Sequence, residues 1–224
     1  ELYEQFFKNA LPKQVAKLGI VYTPIEVVDF IIQSIEVVLN EKFNSSVNND
    51  GVHILDPFTG TGTFIVRLLR SGLISMEKLL YKYTNELHAN EIVLLAYYIA
   101  AINIEETFHD LTQNKEYVPF EGIVLTDTFA LSESIQNESG TVSPTHMLFS
   151  ANSARATKQL ETPITVIIGN PPYSVGQKSG NDNNQNVSYP HLDQSLANTY
   201  VAKSKATLTR NVYDTYIKAF RWAT

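Results

Sequence analysis

Apolar residues recur along this chain in two alternating rhythms, one helical and one short and continuous, and their order predicts a parallel α/β fold. Leu2, Phe6, Phe7, Leu11, Val15 and Leu18 fall at helical spacing in residues 1–22, with Pro12 dividing them into two short helices. Ile25, Val28, Ile31, Ile32, Ile35 and Leu39 hold a helical stripe for four turns, predicting a helix over 24–40. Thr23 is its expected N-cap and Pro24 its first-turn residue. Val52-His53-Ile54-Leu55 then reads as a strand ending at Asp56, and Phe64, Ile65, Leu68 and Leu69 as the helix beyond a glycine turn. The run Leu79-Leu80-Tyr81-Lys82-Tyr83-Thr84 predicts a second strand ending near Glu86, followed by a buried helix from Ala89 to Ile102. Residues 122–126 predict a third strand closed by Asp127, and Ile164–Ile168 a fourth, bounded by Pro163 and Gly169. Weak helical signals occupy 145–158, and Val212, Tyr213, Tyr216, Ile217, Phe220 and Trp222 predict a last helix.

This succession implies a Rossmann-like sheet with helices on both faces. The expected organisation is an N-terminal helical segment over 1–22 and a single domain over 23–224. Within it, the polar, asparagine-rich stretch 174–199 is expected to be a flexible loop.

Composition narrows the chemistry. With no cysteine there is no thiolate metal site, disulfide framework or cysteine nucleophile. The five histidines lack metal-ligand spacing, so no metal is expected. No nucleophile elbow surrounds Ser132. No run of about 18 apolar residues predicts a membrane span, and no signal peptide is expected at Glu1-Leu2-Tyr3-Glu4. The chain carries 17 Lys and Arg against 23 Asp and Glu, a net charge of −6. That balance disfavours a broad basic nucleic-acid face, leaving phosphate contacts to a separate domain if nucleic acid is the substrate.

Four clusters sit at expected strand ends, where open parallel sheets bind ligands. In Asp56-Pro57-Phe58-Thr59-Gly60-Thr61-Gly62-Thr63-Phe64 the glycines permit a tight turn and close backbone approach to a ligand. No Gly-Lys-Ser/Thr follows, which excludes a P-loop. A dinucleotide fingerprint fits less well because the leading acid would repel a pyrophosphate, whereas a cationic ligand such as S-adenosylmethionine suits it. Glu86 is a candidate to accept from both ribose hydroxyls of a nucleoside. Asp127 and Phe129 are candidates to meet an adenine amine and ring. Asn170-Pro171-Pro172-Tyr173 can present a side-chain oxygen and a carbonyl to one amino group, beside an aromatic face.

Together these residues resemble the adenine-N6 DNA methyltransferases whose cofactor motifs precede target recognition. Tyr22-Thr23-Pro24 resembles the family's N-terminal cofactor motif and Asp56 to Phe64 its methionine-binding loop. Glu86 resembles its ribose acid, Asp127 with Phe129 its adenine-contacting pair, and Asn170-Pro171-Pro172-Tyr173 its catalytic tetrad. Tyr173-Ser174-Val175-Gly176-Gln177, Tyr189-Pro190, Leu192-Asp193 and the stretch from Tyr213 to Ala223 are similar to large single-polypeptide restriction–modification enzymes.

The resemblance implies methyl transfer from S-adenosylmethionine to N6 of an adenine flipped out of duplex DNA. It also implies a prokaryotic cytoplasmic protein joined to helicase-like and nuclease domains, with a target-recognition domain bringing the DNA. On that comparison the chain is a fragment, the methyltransferase sheet being truncated at the C-terminus. Two alternatives stay open: methylation of another planar amine or amide, such as protein glutamine or RNA adenine, and a non-catalytic scaffold in a restriction complex.

Overall fold

The computed structural model describes residues 23–113, 116–136, 150–172, 188–205 and 210–224. The expected N-terminal helical segment, including Tyr22, and the tetrad's Tyr173 lie outside the described residues. The chain divides into two compact units, one of residues 23–131 and 139–169, the other of 1–22, 132–138 and 170–224.

The first unit is built on four parallel strands, β1 (His53–Asp56), β2 (Leu87–Glu91), β3 (Ile123–Leu125) and β4 (Ile164–Ile167), in the order β3-β2-β1-β4. The chain builds outward from β1 through β2 to β3, then returns to β1's other side as β4. The β1/β4 boundary is therefore the topological switch point, where such sheets open a crevice at their carboxyl ends. Helix α1 (Ile25–Phe43) packs on α2 (Thr63–Arg70), which packs in turn on α4 (Leu94–Thr112); α3 (Met76–Asn85) lies against β2 and α6 (Ser150–Glu161) against β3. The core joins Val28 and Ile32 of α1, Ile65 and Leu68 of α2, and Ala100, Ile104 and Phe108 of α4 to the strand residues Ile54, Leu87, Ala89 and Ile123. Tyr83 of α3 stacks on Phe108 with ring centres 3.9 Å apart. Arg67 grips Asp29 through two hydrogen bonds of 2.7 and 2.6 Å, tying α2 to α1.

Three expectations are corrected. Residues 79–84 are helical, within α3, and the second strand is Leu87–Glu91. Leu79, Lys82 and Tyr83 are the buried positions of α3, a spacing of three and four that belongs to a helix and not to a strand. The helix expected from Ala89 consequently begins at Leu94, because Ala89 is strand. Helix α1 begins at Ile25, with Pro24 in the N-cap position; its carbonyl accepts from the Val27 and Val28 amides and no side chain caps the end.

The second unit carries the carboxyl half of α5 (Thr128–Gln136), α7 (Pro190–Leu196), a π-helical turn (Ala197–Val201), a 3-10 turn (Arg210–Tyr213) and α8 (Thr215–Ala223). Residues 190–199 are thus helical, not part of a flexible loop as expected for 174–199; Pro190 at the helix start and Asp193 in the first turn explain the start. Asp193 pairs with the buried Lys218 of α8 at 2.8 Å, and Trp222 donates its indole N–H to Ser132 at 2.8 Å. Glu133 accepts from the His191 and Leu192 amides at 3.1 and 2.8 Å, joining α5 to α7, while the last helix buries Lys218 and Ala219 and leaves Phe220 of its apolar stripe exposed.

Candidate functional site

Strand β1 delivers Asp56 to the carboxyl edge of the sheet and the chain turns immediately. Gly60 and Gly62 both adopt positive φ, 58° and 88°, so this turn needs residues without a Cβ penalty. Gly62 also lies against α4, where an added Cβ would stand 3.2 Å from Ile104 and 3.3 Å from the Ala100 backbone. The turn is clamped on every side. Thr59 donates through its amide to the Asn90 carbonyl at 2.9 Å and through its hydroxyl to the Asp56 carbonyl at 2.9 Å. Asn103 of α4 donates to the Thr61 carbonyl at 2.9 Å. Thr128, at the start of α5, donates to the Pro57 carbonyl at 2.7 Å and accepts from Asn90 at 3.3 Å.

The register explains why β2 contributes so much. Asp56 pairs with Ala89, so β2 extends two residues further and places Asn90 and Glu91 beside the turn. Glu91 accepts from the Gly60 amide at 2.8 Å with one oxygen and from the Val93 amide at 2.7 Å with the other. Burial raises the Glu91 pKa, opposed by the amides of Val93, Gly60 and Ile92.

Asp56 is fully buried. One carboxyl oxygen accepts from the Phe58 amide at 3.1 Å; the other, Oδ2, has no hydrogen-bond partner. Burial pushes its pKa up to about 8, the Phe58 amide pulls the other way, and the neighbouring Glu91 adds to the rise. Gly169, leaving β4, passes so close that a Cβ there would stand 2.8 Å from Asp56 Oδ1. A buried carboxyl with an unused oxygen, next to a second buried acid, is suited to a cationic ligand, which would supply the missing partner and stabilise the charged form. The ammonium and sulfonium groups of S-adenosylmethionine meet that requirement.

Asp127 and Phe129 also reach this edge. The Asp127 carboxylate accepts from the Phe129 and Ala130 amides at 3.0 and 3.2 Å, capping α5. Phe129 is buried, and its ring lies 5.6 Å from that of the half-buried Phe58, tilted by 57°. Phe64 faces the core and Thr63 opens α2. Thr23 and Pro24 sit at the start of α1, half-buried and exposed. Asn170, Pro171 and Pro172 are half-buried and belong to the second unit.

Glu86 does not join this group. It precedes β2, at the amino end of the sheet, five residues and roughly 16 Å of strand from Glu91. There it is buried, pairs with the equally buried Lys82 and accepts from the Gly51 amide at 2.6 Å. The expectation that it holds a ribose is overturned by position: Glu91, not Glu86, is the acid at the carboxyl end of β2. Glu91 was missed because β2 itself was misplaced; a strand ending Ala89-Asn90-Glu91 would have pointed to it. Among the described residues no group of three His, Cys, Asp or Glu is arranged to hold a metal ion, and no helix is long and apolar enough to cross a membrane.

The N-6 DNA Methylase family matches residues 1–206. Among solved structures, a nuclease-deletion mutant of the Type ISP restriction-modification enzyme LlaGI, in complex with a DNA substrate mimic, is 52% identical with a TM-score of 0.86, over 99% of this chain and 18% of that one. The ATP-dependent Type ISP restriction-modification enzyme LlaBIII bound to DNA is 51% identical with a TM-score of 0.87, over 99% of this chain and 15% of that one. The DrdV–DNA complex is 42% identical with a TM-score of 0.88, over 99% and 21%. A search of curated proteins finds no match. The chain therefore spans at most about a fifth of each of these larger polypeptides.

Proposed function

The chain belongs to the N-6 DNA methylase family, whose chemistry is S-adenosylmethionine-dependent methylation of adenine N6 in DNA, and from that premise we propose that it is the donor-binding and catalytic part of a restriction–modification enzyme. The observation that carries this reading is the closure of the glycine turn on the acids of β1 and β2: Gly60 donates to Glu91 beside the unpartnered oxygen of Asp56. Asp56 holds the cationic end of the donor. Glu91, already fixed by two amides, takes the ribose hydroxyls. Phe58, Asp127 and Phe129 frame the donor's adenine, with Asp127 held in place by its capping bonds. Tyr22, Thr23 and Pro24 contribute from the segment entering α1.

The donor supplies an electrophilic methyl group. The Asn170 side-chain oxygen and the Pro171 carbonyl accept hydrogen bonds from the two N6 hydrogens of the target adenine, which localises the nitrogen lone pair for attack; the N–CH3 bond forms as the donor's S–CH3 bond breaks, and one N6 proton is then lost to solvent. Pro171 and Pro172 restrict the backbone so that this carbonyl is oriented before substrate arrives. Tyr173 stacks on a base flipped from the duplex. Positioning and oriented dipoles carry the rate enhancement, with no covalent enzyme intermediate. Target recognition, helicase-like translocation and DNA cleavage belong to other parts of the larger protein, which works in the prokaryotic cytoplasm.

The test is methyl transfer to plasmid DNA by the full-length protein, with mapping of the modified base. Asn170→Ala lowers turnover by about 100-fold or more, on the scale of losing an oriented catalytic hydrogen bond, and leaves donor affinity within about twofold. Glu91→Gln instead weakens donor binding measured by calorimetry. Unchanged turnover in the Asn170 variant would falsify the tetrad's role. Methylation of protein or RNA but not DNA would favour the alternative substrates, and no donor binding by the wild-type protein would favour a scaffold.

A further inference from the structure

Helix α4 is apolar on two opposite faces. From Leu94 to Ile104 it carries no charged side chain, and one face, through Ala96, Ala100 and Ile104, is buried within the first unit. The other face is open. Leu94, Leu95, Tyr98 and Ile102, three and four residues apart, are 40% to 59% exposed. Apolar residues scattered singly over a surface are ordinary, whereas a contiguous stripe marks a surface that something covers. A helix that is apolar all round belongs to a buried setting, and α4 has only half of one.

The end of the stripe defines the chemistry of the cover. One turn beyond Ile102 the same face carries Glu105 and Glu106. Glu105 is engaged within the unit, accepting from the Tyr117 hydroxyl at 2.7 Å and the Phe120 amide at 2.9 Å. Glu106 is exposed and forms no ion pair among the described residues. The helix contains no lysine or arginine. Duplex DNA, which is held through cations on its phosphates, has no purchase here. In a symmetric pair of copies each α4 would present the same acidic end, with no cation of the partner helix to meet it.

Area separates a free partner from a tethered one. Four side chains, each about half exposed, offer less surface than the roughly 800 Å² a side that a stable free complex buries. A tethered partner needs far less, because linkage raises its effective concentration to about the millimolar range. Tethered chain is plentiful in the relatives, of which this chain spans only 15–21%.

We propose that the Leu94–Ile102 face of α4 is the seat of another part of the same polypeptide, which lays apolar side chains on Leu95, Tyr98 and Ile102 and sets a lysine or arginine against Glu106. This rests on the reading of the chain as one part of a larger restriction–modification enzyme.

The experiment is thiol labelling of the full-length protein, free of DNA, with Tyr98→Cys or Ile102→Cys and the labelled site identified by peptide mass. Each native rate is compared with that of the same variant in denaturant. Both cysteines are expected to react at least about thirtyfold more slowly in the native protein, on the scale of a contact that must open locally before it reacts. A smaller slowing overturns the proposal. So does protection that disappears on dilution together with a halving of the mass in solution, because the cover is then a second copy. Glu106→Lys added to Tyr98→Cys raises the native rate by about threefold or more through like-charge repulsion, and an unchanged rate overturns the cationic partner. The Ile102→Cys site carries the measurement if Tyr98→Cys melts early. Methyl transfer to plasmid is read in the same wild-type preparation. Transfer without protection strikes this inference and leaves the enzymatic reading standing; protection without transfer does the reverse.

Discussion

At the proposed donor site Asp56 is the group on which pH acts most directly, because burial and the nearby Glu91 raise its pKa to about 8 while one oxygen has no partner. Near neutral pH the carboxyl of the free protein is therefore largely protonated. A cationic donor favours the charged form, so binding releases up to one proton between about pH 5 and pH 8. Calorimetry in two buffers of different ionisation enthalpy measures this; equal apparent enthalpies at pH 7 would show that no proton leaves. The same shift has a stability consequence. The folded form holds this proton above the range where the unfolded chain loses it, so stability falls as pH rises from about 4 to about 8. Asp56→Asn should flatten that slope in pH-dependent melting while weakening donor affinity. The strand end at Asp56 and the turn through Gly60 and Gly62 were legible in the sequence, since a short apolar run closed by an acid and spaced glycines marks a strand followed by a tight turn. Glu91 was not, because nothing in a lone glutamate identifies which end of a strand it occupies.

At the scale of elements, the error that hid Glu91 has a physical cause. β2 reads Leu87-His88-Ala89-Asn90-Glu91, a fully buried strand three of whose five residues are polar or ionisable. Each is accommodated by tertiary contacts that sequence periodicity does not encode: His88 meets His53 at 3.1 Å, Asn90 reaches Thr128, and Glu91 takes the Gly60 amide. The apolar run just before it, Leu79 to Thr84, reads more like a strand and is instead part of α3, which buries Leu79, Lys82 and Tyr83 and leaves Leu80 and Tyr81 exposed. β1 and β3 were legible because their burial follows ordinary hydrophobic runs, and β4 from the apolar run Ile164–Ile168, although only Val166 of the strand's own residues is buried. Thr128 is the element-scale test of the site, since one hydroxyl joins the ends of β1, β2 and β3 by meeting Pro57 and Asn90. Thr128→Val keeps shape and removes the bond. It should raise the donor KM by about tenfold, with kcat little changed and Thr128→Ser restoring most of the loss. An equal fall in kcat with unchanged KM would place Thr128 in the chemical step instead. The Lys82–Glu86 pair makes the contrasting case: Lys82→Met strands a buried carboxylate and should cost about 3–5 kcal/mol in denaturant unfolding. Donor affinity of the folded protein should be unaltered.

At the scale of the whole molecule, the groups assigned to the donor and the groups assigned to the target adenine fall on different parts of the chain. Asp56, Glu91, the glycine turn, Asp127 and Phe129 all belong to the unit of residues 23–131 and 139–169, which has its own core; Asn170 to Pro172 belong to the other unit. A net charge of −6 also leaves this chain poorly matched to duplex phosphates, whose counterion release drives most nucleic-acid affinity. The chain spans only 15–21% of the length of the relatives that match 99% of it at 42–52% identity, and their structures are of complexes with DNA or a DNA mimic. These facts predict a division of labour between donor binding and DNA engagement. The 224-residue chain alone should bind S-adenosylmethionine within about threefold of the full-length protein by calorimetry, because, Tyr22 apart, the residues assigned to the donor belong to one unit. Its affinity for duplex DNA at physiological salt should fall by about 100-fold or more, and it should transfer no measurable methyl to plasmid. Methyl transfer by the isolated chain at the full-length rate would mean that its acidic surface conceals a sufficient DNA-binding face, and that the larger polypeptide is not what delivers the adenine.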